Sequence, residues 1–103
     1  MEYAAVIVAG ATQQLQKHFD TPALQSIANL QELQHQVAQA VLYLLRQDLN
    51  RLLNILYRTD VDEQQVKKAM QHPTEEAVAE HIARLIINRE LQKAQTRFIY
   101  RSN

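Results

Sequence analysis

The chain has 103 residues, with 11 Lys and Arg against 11 Asp and Glu, 47% apolar residues, one Gly, two Pro and no Cys. A formal net charge of zero argues against a globally basic nucleic-acid binder and against a polyanionic tail. One Gly and two Pro are too few for β hairpins, for a Gly-rich phosphate loop or for a many-stranded β fold. The lack of Cys excludes thiolate metal sites. Composition therefore predicts one all-α domain, residues 1–103, folded as a compact bundle of four or five helices.

The apolar stretch over residues 4–11 is the one segment that could be mistaken for a targeting signal. No basic segment precedes it, because Glu2 stands ahead of it, and it is far shorter than the ~20 residues that span a bilayer. We therefore expect a soluble, cytoplasmic protein with no membrane contact.

The spacing of apolar residues predicts the first helix over about residues 3–19. The β-branched run Val6-Ile7-Val8 leaves a short strand over residues 4–9 as the alternative. A second helical stretch is predicted to begin at Thr21 and Pro22, because Thr is a good cap and Pro fits the first helical position.

No Gly or Pro interrupts residues 22–58, and apolar residues keep a helical stripe throughout. The stripe consists of Leu30, Leu33, Val37, Val41, Leu44 or Leu45, Leu49, Leu52 and Leu56. Two helices that fold back bury more of this stripe than one rod, so a break is predicted between Arg46 and Asp48, with Asp48 as the cap. The alternative is a single helix whose stripe is covered by a second chain.

Two further helices are predicted by their capping residues. Thr59 or Asp60 is expected to cap a short helix over roughly residues 61–71, with acidic residues in its first turn. Thr74 is expected to cap a last helix that runs to about Arg97 or beyond.

Two groups of residues have the spacing of metal ligands. Glu32 and His35 have the Glu-x-x-His spacing of di-iron bundles, but only one copy is present where two are needed. The acids Asp60, Asp62 and Glu63 lack the Gly and the distant Glu of a calcium loop, and helix capping accounts for them. We therefore predict no enzyme activity, no metal and no cofactor.

The strongest charge pattern is in the last helix, where residues 81–103 contain five basic residues and one acid. Arg89, Lys93, Arg97 and Arg101 follow one another at every fourth position, which aligns four cations over about 18 Å of helix. We call this set the basic stripe. Solvent exposure and the helix dipole explain part of the basic stripe without any function. The functional alternative is that the stripe binds phosphate or an acidic protein surface.

The same helix has a second apolar face, formed by Ile87, Leu91, Ala94 and Phe98. This face and the stripe over residues 30–56 offer more apolar surface than a small bundle hides, which predicts a homodimer. The function predicted from sequence is a non-enzymatic, self-associating protein-interaction or structural module. The alternative is a nucleic-acid accessory protein that uses the basic stripe.

Two segments of the second half are similar to known sequences. Residues 52–63, LLNILYRTDVDE, and residues 83–93, ARLIINRELQK, resemble segments of short uncharacterised all-helical bacterial proteins. The resemblance implies a cytoplasmic helical domain and brings no activity, cofactor or site with it.

Overall fold

The computed structural model describes residues 4–20 and 29–102, with side chains up to Tyr100. The described residues form five α-helices and no strand: α1 (Ala5–Phe19), α2 (Leu30–Gln47), α3 (Leu49–Thr59), α4 (Glu63–Ala69) and α5 (Glu75–Ser102). The predicted all-α class is confirmed, and the alternative strand over residues 4–9 is wrong, because the backbone is helical from Ala5 onward. The predicted helix start at Thr21 and Pro22 lies outside the described residues.

Helix α5 is the centre of the fold, because it packs against each of the other four helices. Its buried apolar side chains recur at three- and four-residue intervals along the helix. They are Val78, Ala79, Ile82, Ala83, Ile86, Ile87, Leu91 and Ala94. Together with buried residues of α1, α2, α3 and α4 they form a single apolar cluster.

The second half of α5 lies against α1. A β-carbon added to Gly10 would stand 3.7 Å from the β-carbon of Ala94. The His18 ring contacts the Glu90 carboxylate. The second apolar face predicted on this helix is thus covered in part by the chain itself, while Phe98 at its end is about half exposed.

The apolar stripe over residues 30–56 is broken at Asp48, as predicted. The Asp48 backbone N–H donates to Leu44 O at 2.8 Å, which ends α2. The Asp48 carboxylate then accepts from Arg51 N at 3.1 Å, which begins α3. The alternative of one continuous helix is wrong, because a single residue closes one helix and opens the next.

Neither of the residues predicted to cap α4, Thr59 or Asp60, does so. Asp60 has a left-handed backbone, with φ of 63°, and terminates α3. Thr59 is buried inside α3, where its hydroxyl donates to Ile55 O at 2.7 Å. Asp62 is the residue that caps α4, since its carboxylate accepts from Gln64 N at 3.0 Å. The left-handed turn at Asp60 moves the start of α4 to Glu63, and the helix ends at Ala69, so it is shorter than the predicted 61–71.

The start of α5 agrees with the prediction. Thr74 accepts from Ala77 N at 3.1 Å. The first-turn acids Glu75 and Glu76 meet Arg46 at 3.4 and 3.2 Å, which ties the end of α2 to the start of α5. In the described part of the chain, no helix is both long and apolar enough to cross a membrane.

Candidate interaction surface

Helix α3 is apolar on two sides, and only one of them is covered by the rest of the fold. Its inner side chains Leu52, Ile55, Leu56 and Thr59 are buried. A second row, Leu49, Leu53 and Tyr57, occurs at every fourth position and is 47%, 47% and 86% exposed. Side chains four residues apart lie on the same side of a helix, so these three form one continuous strip. We call this strip the α3 ridge.

The residues beside the α3 ridge on its solvent side are polar, and one of them is charged. Asn50 and Asn54 are exposed there, and α3 itself contains no acidic residue. Arg51 is drawn away, because its guanidinium donates to Phe19 O at 3.2 Å. Arg58 is exposed in the last turn. The α3 ridge is therefore an apolar strip with a polar margin, in which Asn50, Asn54 and the cation Arg58 follow one another at every fourth position.

The basic stripe is partly used inside the chain. Arg89 donates to the carbonyl oxygen and to the carboxylate of Asp60, both at 3.1 Å, and so holds the end of α3 against α5. Lys93 Nζ lies 2.8 Å from Glu90 Oε1. Arg97 is exposed, and the side chain of Arg101 lies outside the described residues. Two of the four cations thus neutralise acids of their own chain.

The Glu90 carboxylate is a buried charge that sequence reasoning missed. Its side chain is 1% exposed, and Oε1 accepts from Lys93 and, at 3.3 Å, from His18 Nε2. No described residue donates to Oε2. The sequence does contain a signal for the burial of Glu90. This residue lies four positions after Ile86 and so continues the buried row formed by Ile82 and Ile86. A Glu on that row must be paired, because an isolated buried carboxylate is costly.

Two histidines meet where α4 turns into α5. His72 Nε2 and His81 Nδ1 are 2.9 Å apart, and the ring planes are inclined at 65°, with centroids 5.1 Å apart. One ring must donate and the other must accept, so the pair holds at most one extra proton without losing its hydrogen bond. Partial loss of hydration, then the charges of His72 and Arg84, lower the pKa of His81 below its ordinary value.

The Glu-x-x-His pair of α2 has other roles. Glu32 contributes its backbone N–H to the cap at Asn29, at 2.8 Å, and His35 Nε2 accepts from the Gln39 amide at 3.1 Å. Both residues are exposed. Within the described ranges, no group of three or more His, Cys, Asp or Glu is placed to hold a metal ion.

Comparison of the chain with protein-family models, with characterised proteins and with solved structures gives no match. The chemistry of the chain's own surface, and above all of the α3 ridge, is therefore the basis on which function is inferred.

Proposed function

We propose that this chain is a non-enzymatic protein-interaction module that self-associates through the α3 ridge. The observation that supports the proposal is the exposure of Leu49, Leu53 and Tyr57 in one strip. Large apolar side chains that stand singly on a surface need no explanation, whereas a contiguous apolar patch is typical of an interaction site. A homodimer is the commonest assembly that covers such a patch.

The expected association is weak. Three side chains of one 11-residue helix bury well under the ~800 Å² per partner of a standard interface. A dissociation constant in the micromolar range or above follows, because small interfaces offer few strongly binding residues. Self-association should therefore be sought at tens to hundreds of micromolar protein.

Sedimentation equilibrium over that concentration range tests the proposal. The wild-type mass should rise from 11.9 kDa toward twice that value. Leu53→Asp should hold the protein at the monomer mass, because it introduces a charge at the centre of the strip. The matched control is Tyr43→Asp on α2, where another large side chain is 65% exposed. It should dimerise like the wild type.

Two results would contradict the proposal. A wild-type mass of 11.9 kDa at every concentration would rule out self-association in this range. Equal loss of association in Leu53→Asp and Tyr43→Asp would mean that apolar exposure anywhere on the surface is responsible, and that the α3 ridge has no special role. Circular dichroism of each variant verifies that the helices are retained.

A further inference from the structure

We propose that His72 and His81 together bind one divalent transition-metal ion that favours right-angled coordination, such as Ni²⁺ or Cu²⁺. The two rings meet at the junction of α4 and α5, where His72 Nε2 lies 2.9 Å from His81 Nδ1. The residues are nine positions apart in the chain, so no short motif marks them. The sequence motifs predict no metal, and the proposal departs from that prediction. It is independent of the proposed self-association, because neither residue belongs to the α3 ridge.

The distance between the two ring nitrogens fits two ligands of one ion. A nitrogen ligand lies about 2.0–2.1 Å from Zn²⁺ and from ions of similar size. Two such ligands are about 2.9 Å apart when they form a right angle at the ion, and about 3.4 Å apart at the tetrahedral angle. The observed 2.9 Å therefore favours the right angle of tetragonal Cu²⁺ and Ni²⁺ over the tetrahedral geometry of Zn²⁺.

The ion takes the place of the hydrogen bond between the rings. In the neutral pair, one ring donates its N–H and the other accepts it. The donating ring moves this proton to its second nitrogen, which gives the other tautomer of neutral imidazole, and each ring then offers a lone pair to the ion. No proton leaves the pair in this step. His72 is exposed and His81 is half-buried, so both rings have room to rotate and water can complete the coordination.

The backbone on both sides of the pair is anchored in the core. Ala69 ends α4 and is fully buried, and its carbonyl oxygen accepts from the backbone N–H of His72 at 3.4 Å. Val78 and Ile82 lie three positions before and one position after His81, and both are buried. Two ligands that are already held close together lose little freedom on binding. This arrangement favours chelation by the pair over binding at a single exposed histidine.

The surroundings of the pair limit the strength of binding. The chain supplies two ligands, whereas ions that are held permanently have about four protein ligands. Partial loss of hydration, then the charges of His72 and Arg84, lower the pKa of His81, so the positive charge of Arg84 reaches this ring. The same charge repels a metal cation. We therefore expect weak, exchangeable binding rather than an ion that remains with the purified protein.

Isothermal titration calorimetry of the untagged chain with Ni²⁺ at neutral pH tests the proposal. We expect one ion per chain, and weaker binding of Zn²⁺ than of Ni²⁺. His72→Gln and His81→Gln should each weaken Ni²⁺ binding by about tenfold or more, because even the loss of an outer-shell partner of a metal ligand costs that much. His35→Gln is the matched control and should bind like the wild type, since the exposed His35 ring pairs with the Gln39 amide.

Two further measurements separate a chelate from general attraction of metal to the surface. Arg84→Gln should bind Ni²⁺ more tightly than the wild type, because a nearby positive charge is removed. Ni²⁺ should raise the urea midpoint of the wild type, since a ligand of the folded state stabilises it. This increase should be absent in His72→Gln and in His81→Gln, and circular dichroism verifies that both variants keep their helices.

Three results would overturn the proposal. Equal Ni²⁺ affinity in the wild type and in both variants of the pair would leave adventitious binding only. Loss of affinity in just one of the two variants would show a site with a single imidazole. Tighter binding of Zn²⁺ than of Ni²⁺ would contradict the right-angled geometry on which the choice of ion rests.

Discussion

The Glu90 carboxylate offers the sharpest test of what holds the helices together. It is enclosed between α5 and α1, with Lys93 and His18 at one oxygen and no described donor at the other. We compare two single variants that alter this cluster in opposite ways. Lys93→Ala removes the main partner and keeps the buried charge, whereas Glu90→Leu removes the charge and keeps an apolar side chain of similar size.

The two variants should change the free energy of unfolding in different directions. Breaking a fully buried ion pair from one side costs about 3–5 kcal/mol. The Lys93 side chain is 26% exposed, so water reaches the cluster and about 2–3 kcal/mol of destabilisation is expected for Lys93→Ala. Glu90→Leu forfeits the His18 hydrogen bond, about 0.5–1.5 kcal/mol, and relieves the unpaired oxygen, about 1–3 kcal/mol. Its stability should equal or exceed that of the wild type, since the freed Lys93 ammonium can reach solvent.

Urea unfolding followed by far-ultraviolet circular dichroism measures both variants. The expected order of unfolding free energy is Lys93→Ala below wild type, and wild type at or below Glu90→Leu. The double variant Glu90→Leu/Lys93→Ala should recover most of the loss seen in Lys93→Ala, because no buried charge is left without its partner. A Glu90→Leu protein less stable than Lys93→Ala would refute the reasoning and make the ion pair a net source of stability.

Three further results are expected. Asp48→Ala removes the cap of α3 and should lower the free energy of unfolding by about 0.5–2 kcal/mol. Asp48→Asn should lose little of this free energy, because Asn caps helices as well as Asp does. Because folding lowers the pKa of His81, this ring is protonated in the unfolded chain at a higher pH than in the folded chain. The contribution of neutral His81 to the free energy of unfolding is therefore complete above pH 6.5 and falls as the pH drops below 6.5. The urea midpoint should show this fall in the wild type and a smaller one in His81→Gln. Short DNA or RNA should not be retained at ~150 mM salt, because Arg89 and Lys93 are already paired. Micromolar retention that is lost in Arg97→Ala would favour the nucleic-acid alternative.

Helix boundaries set by local chemistry could be predicted from the sequence. Asp48 and Thr74 cap the helices that follow them, and the groups involved lie within four residues of each cap. The failure at α4 is instructive, because Asp60 and Asp62 are both suitable caps. What decides between them is the left-handed turn at Asp60, where Arg89 from α5 binds both its carbonyl and its carboxylate. That contact joins residues 29 positions apart and leaves no local signal.

The position of the exposed α3 ridge could be predicted only in outline. The stripe from Leu30 to Leu56 was expected to be buried, yet Leu49 is half exposed. At about 100° per residue, the apolar side chains of α3 span about 200° of the helix circumference, from Ile55 on the inner side to Tyr57 on the outer side. The docking of α3 on α2 and α5 determines which part of this arc is hidden. The spacing of these residues in the sequence shows that the apolar arc of α3 is too wide for one contact. It does not show which edge of the arc remains exposed to solvent.

The ion pairs that Arg89 and Lys93 of the basic stripe form within the chain help to decide which surface is suited to binding a partner. Cations at every fourth position of a long helix are typical of a phosphate- or acid-binding face, but here Arg89 secures the end of α3 and Lys93 neutralises Glu90 inside the fold. Freeing either cation for a ligand would break an ion pair, and in the case of Lys93 would leave a buried carboxylate with one partner fewer. The α3 ridge carries no such cost, because covering Leu49, Leu53 and Tyr57 breaks no described ion pair or hydrogen bond and removes apolar surface from water. These contacts support the proposal of association through the α3 ridge over the alternative that uses the basic stripe.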